Sequence, residues 1–459
     1  MSKAKKKQMD MIHGPMFYKI LFFALPLAAS SILQQLFNSA DVAVVGRFAG
    51  SAALAAVGGN SPVINLLINM FVGLSIGANV IIANFIGQGR EDKVKEAVHT
   101  VMSVALISGV SLLVIGIIIA KPILLMINTP SEVINLAVLY LRIYFLGMPF
   151  VMVYNFGAAI LRSTGETRKP LYCLIISGII NILLNLLLVI VFNLSVAGVA
   201  IATVIADGVS AFLVVYFLSH SDDAIRLNIR KLSLNKEIVV KVIKIGAPAG
   251  LQGVVFSLSN VFIQSAINGF GTHAMAGSSA GLNYEYFTYY MINAFNQTAV
   301  TFTSQNYGAK NLERCKRAFR ISLATGMTLT LVMSLIFVGA TDFFAGIYTN
   351  DPVAIKYAII RMKHVTLLEC LTGVYEISGG ALRGMGHSLL PALLTVIGSC
   401  GFRVVWLYTV FKIVPTFTML MNVYPVTWII TGAMVMTSYL IIRKRIEAGQ
   451  GQEAKISKR

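Results

Sequence analysis

The chain has 459 residues, 56% of them hydrophobic and only 12% charged, with a mean hydropathy of +0.77 and a formal net charge of +18. Soluble domains carry about 25% charged residues, so this composition excludes a water-soluble fold and marks a polytopic membrane protein. The positive charge would suit nucleic acid only if it were gathered on one soluble face; it is spread along the chain instead, and no nucleic-acid partner is expected.

Apolar runs of about 20 residues or more, each able to cross a hydrocarbon core of about 30 Å, recur from end to end. Twelve are expected, at 17–45, 52–86, 94–119, 133–160, 170–192, 195–218, 237–268, 273–305, 317–340, 353–381, 388–411 and 415–441. The opening "MSKAKKKQMD" is basic, but the run behind it is too long for a signal-peptide core and lacks a small-residue cleavage site, so it is expected to remain as the first helix. Basic residues collect in alternate connections: Lys3, Lys5, Lys6 and Lys7; Arg90, Lys93 and Lys95; Arg162, Arg168 and Lys169; Arg226, Arg230, Lys231, Lys236, Lys241 and Lys244; Lys310, Arg314, Lys316, Arg317 and Arg320; Arg443, Lys444 and Arg445. The intervening loops hold only Arg47, Lys121 and Lys412. This asymmetry puts both termini in the cytoplasm, which requires an even number of spans across the inner, or plasma, membrane.

The two halves of the chain resemble each other. "ILRSTGETRKP" at 160–170 aligns with "ALRGMGHSLLP" at 381–391, and "IGQGREDK" at 86–93 with "YGAKNLER" at 307–314, at a constant offset of about 221 residues. With one residue of slippage "ALPLAASSIL" at 24–33 meets "GAPAGLQGVV" at 246–255, superposing Pro26 on Pro248. The expected class is thus all-α, with twelve transmembrane helices in two six-helix lobes related by a parallel internal repeat. The expected organisation is a basic cytoplasmic tail at 1–16, a first lobe at 17–218, a cytoplasmic linker at 219–236, a second lobe at 237–441 and a second basic tail at 442–459. Even-numbered halves share one orientation, the arrangement of transporters whose bundles rock about a central cavity.

No GxxxxGK[ST] phosphate loop is present; "GQGR" at 87–90 lacks the Lys-Ser/Thr pair and fits a helix end. A transporter without ATP chemistry runs on an ion gradient or downhill. Neither GxGD-like nor HExxH-like context surrounds any acid, so no enzyme is expected. Cys173, Cys315, Cys370 and Cys400 lack metal or disulfide spacing and are expected to pack. No organic cofactor is called for.

Ionisable groups inside spans cost about 2.5 to 3.5 kcal/mol on insertion scales, so each demands a reason. Gln34, Asn38 and Asp41 share one face of the first span, either as a cation site or as a hydrogen-bonding seam near the membrane edge. Ser177, Asn181 and Asn185 line one face of the fifth, as ligands or as interhelical glue. Thr203 and Asp207 sit one turn apart on the sixth, although a helix threonine commonly bonds its own backbone. Together these are hard oxygen donors suited to sodium or to a protonatable carboxyl. In the second half Asn260, Gln264 and Asn268 follow i+4 steps, as do Glu285, Tyr289, Asn293 and Gln297, like a polar cavity wall. Glu369, Thr372 and Glu376 share a face, with Arg403 placed to neutralise one of those acids.

"LPLAASSILQQLFNSADVAVVGRFAG" at 25–50, "ALAAVGGN" at 53–60 and the paired "LRSTG" and "LRGMG" elements with their prolines resemble the multidrug and toxic compound extrusion (MATE) family of bacterial transporters. The resemblance covers nearly the whole chain between the tails. It implies a cation-coupled antiporter that exports amphipathic, often cationic small molecules by alternating access; membrane lipid is the other expected partner, and a monomer the expected state. It further implies that Asp41 is the central cation site, with Asn181, Asn185 and Thr203 around it. Some members have Asp where this chain has Asn185, which leaves proton and sodium both open. Some rely on acids of the second lobe, for which Glu285, Glu369 and Glu376 are candidates. The alternative is a lipid-linked oligosaccharide flippase of the same superfamily, which would use Arg361, Lys363 and Arg403 to hold pyrophosphate.

Overall fold

The computed structural model describes residues 9–127, 129–221 and 224–456. Lys3, Lys5, Lys6 and Lys7 of the expected first tail, two linker positions and the last residues of the second tail lie outside the described residues.

The first half runs α1 (Phe17–Phe48), α2 (Ser51–Gly87), α3 (Glu91–Met126), α4 (Ser131–Leu146), α5 (Met148–Ser163), α6 (Arg168–Asn185) and α7 (Ser195–Ser219). The second half runs α8 (Lys236–Asn268), α9 (Thr272–Gly308), α10 (Leu312–Gly339), α11 (Thr341–Tyr348), α12 (Pro352–His364), α13 (Thr372–Gly384), α14 (Leu389–Thr395), α15 (Phe402–Tyr408), α16 (Val410–Ile413), α17 (Phe417–Met421) and α18 (Val423–Ile456). Among the described residues there is no strand. Among the described residues, nine helical stretches are long and apolar enough to cross a membrane, and α4 with α5, bent by 46°, makes a tenth. That bend sits where Pro149, unable to donate, opens α5 directly after Gly147. The expected spans at 273–305 and 353–381 are helical too: α9 is diluted by its polar face, and α12 is separated from α13 by a 3-10 turn at Thr366–Leu371.

Two compact units emerge, Met1–Asp10 with Leu25–Gly250 and Met11–Ala24 with Leu251–Arg459. The divisions fall inside α1 and α8, next to Pro26 and Pro248, each of which removes one backbone hydrogen bond from its helix. In the first unit α2 meets the start of α8 through two facing small-xxx-small patterns, "GLSIG" at 73–77 and "GAPAG" at 246–250. A Cβ on Gly73 would lie 2.3 Å from Gly250 N, and one on Gly77 2.3 Å from Val242 O. In hydrocarbon, where lipid is as apolar as leucine, such backbone contact supplies the packing energy that hydrophobic burial cannot. Buried Asn60 and Asn79 add interhelical bonds from α2, to Ala137 O at 2.9 Å and Ala159 O at 3.1 Å. In the second unit Phe23 sits edge-on to Phe302 at 5.6 Å, and Arg314 donates to Met11 O and Gly14 O, both at 3.2 Å. There α13 brings "GALRG" at 380–384 against α9, where a Cβ on Gly384 would lie 2.7 Å from Val300 O.

The duplication is visible in the backbone. Left-handed residues recur in pairs at the offset of the sequence repeat: Gly50 with Gly271 before α2 and α9, Gly89 with Lys310 after them, and Gly165 with Gly386. Lys310 holds φ 57° without the steric freedom of the glycine that is its counterpart.

Overpacking a close backbone contact costs about 1–3 kcal/mol, so Gly77→Ala lowers the thermal unfolding midpoint in detergent. Gly58→Ala, where an added Cβ meets nothing within 4 Å, leaves the midpoint unchanged or raises it.

Candidate functional site

In the first unit α1 and α6 approach closely because Gly178 has no side chain: a Cβ there would lie 1.9 Å from Phe37 Cε2. One turn on from Phe37 is Asp41; three and seven residues on from Gly178 are Asn181 and Asn185. Asn185 Nδ2 donates to Asp41 Oδ1 at 2.5 Å and to Asn181 Oδ1 at 3.2 Å. Asn181 and Asn185 are buried, while Asp41 is half-buried. Asn185 Oδ1 is buried and, among the described residues, has no hydrogen-bond partner. Immediately after Asn185 the helix widens into a π turn, Leu186–Val191. Such turns cluster at functional sites because they re-aim side chains out of the regular helical register.

Asp207 of α7 lies within electrostatic reach of Asp41, and Tyr140 and Tyr144 of α4 feel both acids. Thr203 is committed locally: its hydroxyl donates to Val199 O at 2.9 Å on its own helix. Gln34 and Asn38 are exposed on α1, and neither bonds Asp41 among the described residues. The structure thus brings together Asp41, Asn181, Asn185 and Asp207. It adds Tyr140 and Tyr144, which sequence reading passed over because aromatic residues in an apolar helix carry no periodic signal of function.

The second unit holds a different arrangement. Arg361, at the end of α12, donates from Nε and Nη2 to Glu285 Oε2 at 3.0 and 2.7 Å, and from Nη1 to Ser278 at 2.8 Å. Arg403 donates to Asn260 Oδ1 at 3.0 Å and stacks over Tyr424, 4.7 Å from the ring centroid. Among the described residues it makes no salt bridge to Glu369 or Glu376, contrary to its expected role; the acid neutralised is Glu285, and Arg361 is its partner. The Arg403 guanidinium is engaged instead by the Asn260 amide oxygen and the Tyr424 ring.

Glu376 accepts from Asn296 Nδ2 at 2.8 Å, a residue one step off the expected face of α9. Glu369, on the 3-10 turn, is buried, and its Oε2 has no hydrogen-bond partner among the described residues. Asn293 accepts from Gln297 at 2.7 Å, and exposed Gln264 donates to Asn268 at 2.9 Å, so both amides pair along their own helices. Arg383 of the repeated motif donates to Gln252 Oε1 at 2.8 Å.

Against this geometry stand the comparisons with known proteins. The family model described as MatE matches residues 26–187 and 248–409, two segments that coincide with the two halves of the repeat. The chain belongs to the MATE family. The "Probable multidrug resistance protein YoeA" of Bacillus subtilis (strain 168) is 30% identical over 396 residues, covering 83% of this chain and 84% of that protein. The "Multidrug export protein MepA" of Staphylococcus aureus (strain NCTC 8325 / PS 47) is 23% identical, with 84% and 85% covered. Among solved structures, a multidrug resistance MATE family transporter in an outward-facing conformation matches with a TM-score of 0.88 at 22% identity, covering 97% of this chain and 99% of that one. A MOP superfamily transporter from Pyrococcus furiosus matches with a TM-score of 0.88 at 21% identity, covering 97% and 99%. At these identities the structural likeness speaks for the fold. The protein is therefore a multi-pass membrane transporter of small molecules and not an enzyme.

The ion pair of this MATE transporter makes a stability prediction. Arg361→Met leaves Glu285 without its partner and lowers stability by about 3–5 kcal/mol, whereas adding Glu285→Gln recovers most of the loss. Thermal unfolding of the two variants in detergent measures both terms.

Proposed function

We propose that this MATE transporter is a cation-coupled antiporter that exports amphipathic, often cationic drugs by alternating access. The observation that carries the reading is the bond from Asn185 to Asp41, which ties α1 to α6 through a group whose charge changes on taking up a cation. A proton on Asp41 removes the carboxylate that Asn185 serves. Sodium would compete with the amide for the same oxygen and would find Asn181 Oδ1 and the unpartnered Asn185 Oδ1 beside it. Either event changes the packing of α1, which Pro26 leaves free to bend. Drug and cation then favour different states of one lobe, so that cation entry drives drug exit. Thr203 and Asp207 are assigned to the rim of this site, and Glu285, Glu369 and Glu376 to the cavity of the second lobe.

The same reading makes the protein a monomer in a bacterial plasma membrane, both termini cytoplasmic, with no organic cofactor and a proton or sodium ion as the coupling species. Multidrug export, named for the relative MepA, and multidrug resistance, named as probable for YoeA, are extended to this chain on similarity that covers more than four-fifths of each protein. The flippase alternative is weakened because two of its three cations are engaged, Arg361 by Glu285 and Arg403 by Asn260 and Tyr424, which leaves only the exposed Lys363 of that set for pyrophosphate.

Reconstituted vesicles loaded with a fluorescent cationic dye, with proton and sodium gradients imposed separately, test the proposal. Asp41→Asn is expected to reduce gradient-driven transport at least about tenfold, equivalent to about 1.4 kcal/mol of lost cation interaction. Gly178→Val, which forces Phe37 and α1 away from α6, is expected to do the same with the acid intact. Undiminished transport by Asp41→Asn would sink the assignment.

A further inference from the structure

The connection from α7 to α8 encloses a feature that drug export does not use. Between it and the start of α3 lies a cavity of about 1040 Å³, lined by Lys95, Glu96, His99, Arg226, Arg230 and Lys231 among others. Its one described acid is already engaged: Glu96 takes Lys93 Nζ at 2.8 Å on one oxygen and the Asn235 amide on the other. Lys95, Arg226, Arg230 and Lys231 are exposed and, among the described residues, form no salt bridge. The wall is braced by His99, whose Nδ1 meets Lys95 O at 2.7 Å while Nε2 accepts from Asn228 N at 3.2 Å. The ring thus acts as a strut between α3 and the connection. A second strut runs from Asn235 N to Thr100 Oγ1 at 3.2 Å.

We propose that this cavity is a headgroup site for an anionic phospholipid. Charge asymmetry alone requires only that cations lie on the cytoplasmic side; it requires neither a braced cavity nor an apolar shoulder, and this connection has both. Ile225 and Leu227 turn inward, each 4% exposed, whereas Ile229 and Leu234 stand 60% and 57% exposed on either side of Arg230 and Lys231. Exposed aliphatic side chains flanking a basic cluster at the end of membrane helices match a lipid, whose phosphate meets the cations while its acyl chains meet the aliphatics. A free anion would have no use for that shoulder. The cavity lies beside the start of α3 and the end of α7, two helices long and apolar enough to cross a membrane. The site rests on the membrane placement of these helices and is independent of how Asp41 works.

Native mass spectrometry of the full-length protein in detergent, titrated with phosphatidylglycerol, phosphatidylethanolamine or inorganic phosphate, tests the site. The wild type is expected to retain phosphatidylglycerol at about tenfold lower lipid concentration than phosphatidylethanolamine. Lys95→Gln with Arg226→Gln, Arg230→Gln and Lys231→Gln is expected to abolish that preference. A control with the same loss of charge elsewhere, Lys310→Gln with Lys316→Gln, Arg317→Gln and Arg320→Gln, is expected to keep it. Ile229→Ser with Leu234→Ser, which leaves the charge and the struts in place, is expected to weaken phosphatidylglycerol retention severalfold. No preference in the wild type, equal loss in the control, displacement of lipid by inorganic phosphate, or full retention by the serine variant would each overturn the proposal.

Discussion

A carboxylate inside a hydrocarbon layer has no water to turn to, and the bond from Asn185 to Asp41 is this protein's answer on the face where it matters most. That bond depends on helices that come closer than side chains ordinarily allow. Gly178 makes the room by receiving the Phe37 ring, and Asn185, the last residue of α6 before the π turn, reaches across to the acid. Polar chemistry and glycine packing are therefore one constraint: small residues bring backbones together, and polar groups meet across the contact.

The second unit meets the same requirement with different chemistry. There the acids are answered by an arginine, a second amide and, for one Glu369 oxygen, by nothing among the described residues. Arg361 and Arg403 both lie over Tyr424, whose ring face offers negative potential to guanidinium groups far from water. Duplication has preserved the turns, as the paired left-handed residues show, while the side chains on the duplicated helices have diverged. In the first half an amide answers Asp41; in the second an amide answers Glu376 and an arginine answers Glu285. Coupling is assigned to the first because there the amide bond ties α1 to α6 beside a second amide.

Outside the hydrocarbon the constraint relaxes and charge does other work. The connection between α7 and α8 is held to α3 by neutral hydrogen bonds, which leaves its cations available to a ligand. Within the second unit Arg361, Arg383 and Arg403 each donate to a neighbouring side chain, whereas Lys95, Arg226, Arg230 and Lys231 form no salt bridge among the described residues.

Composition and the spacing of apolar runs determined that the chain is a multi-pass helical protein, because hydrocarbon thickness sets a length that sequence displays directly. Internal similarity showed the duplication, since repeated glycines and prolines mark repeated turns. The i+4 pattern on α6 likewise placed Asn181 and Asn185 on one face. What the sequence could not show was which faces meet. The exchange of helix ends between units at Pro26 and Pro248, the π turn after Asn185 and the 3-10 turn beneath Glu369 all break the regular periodicity on which such reading depends. That Arg361 pairs with Glu285 while Arg403 meets Asn260 and Tyr424 was decided by tertiary structure, because such contacts depend on distances of a few ångströms between helices, and no pattern within a single helix encodes them.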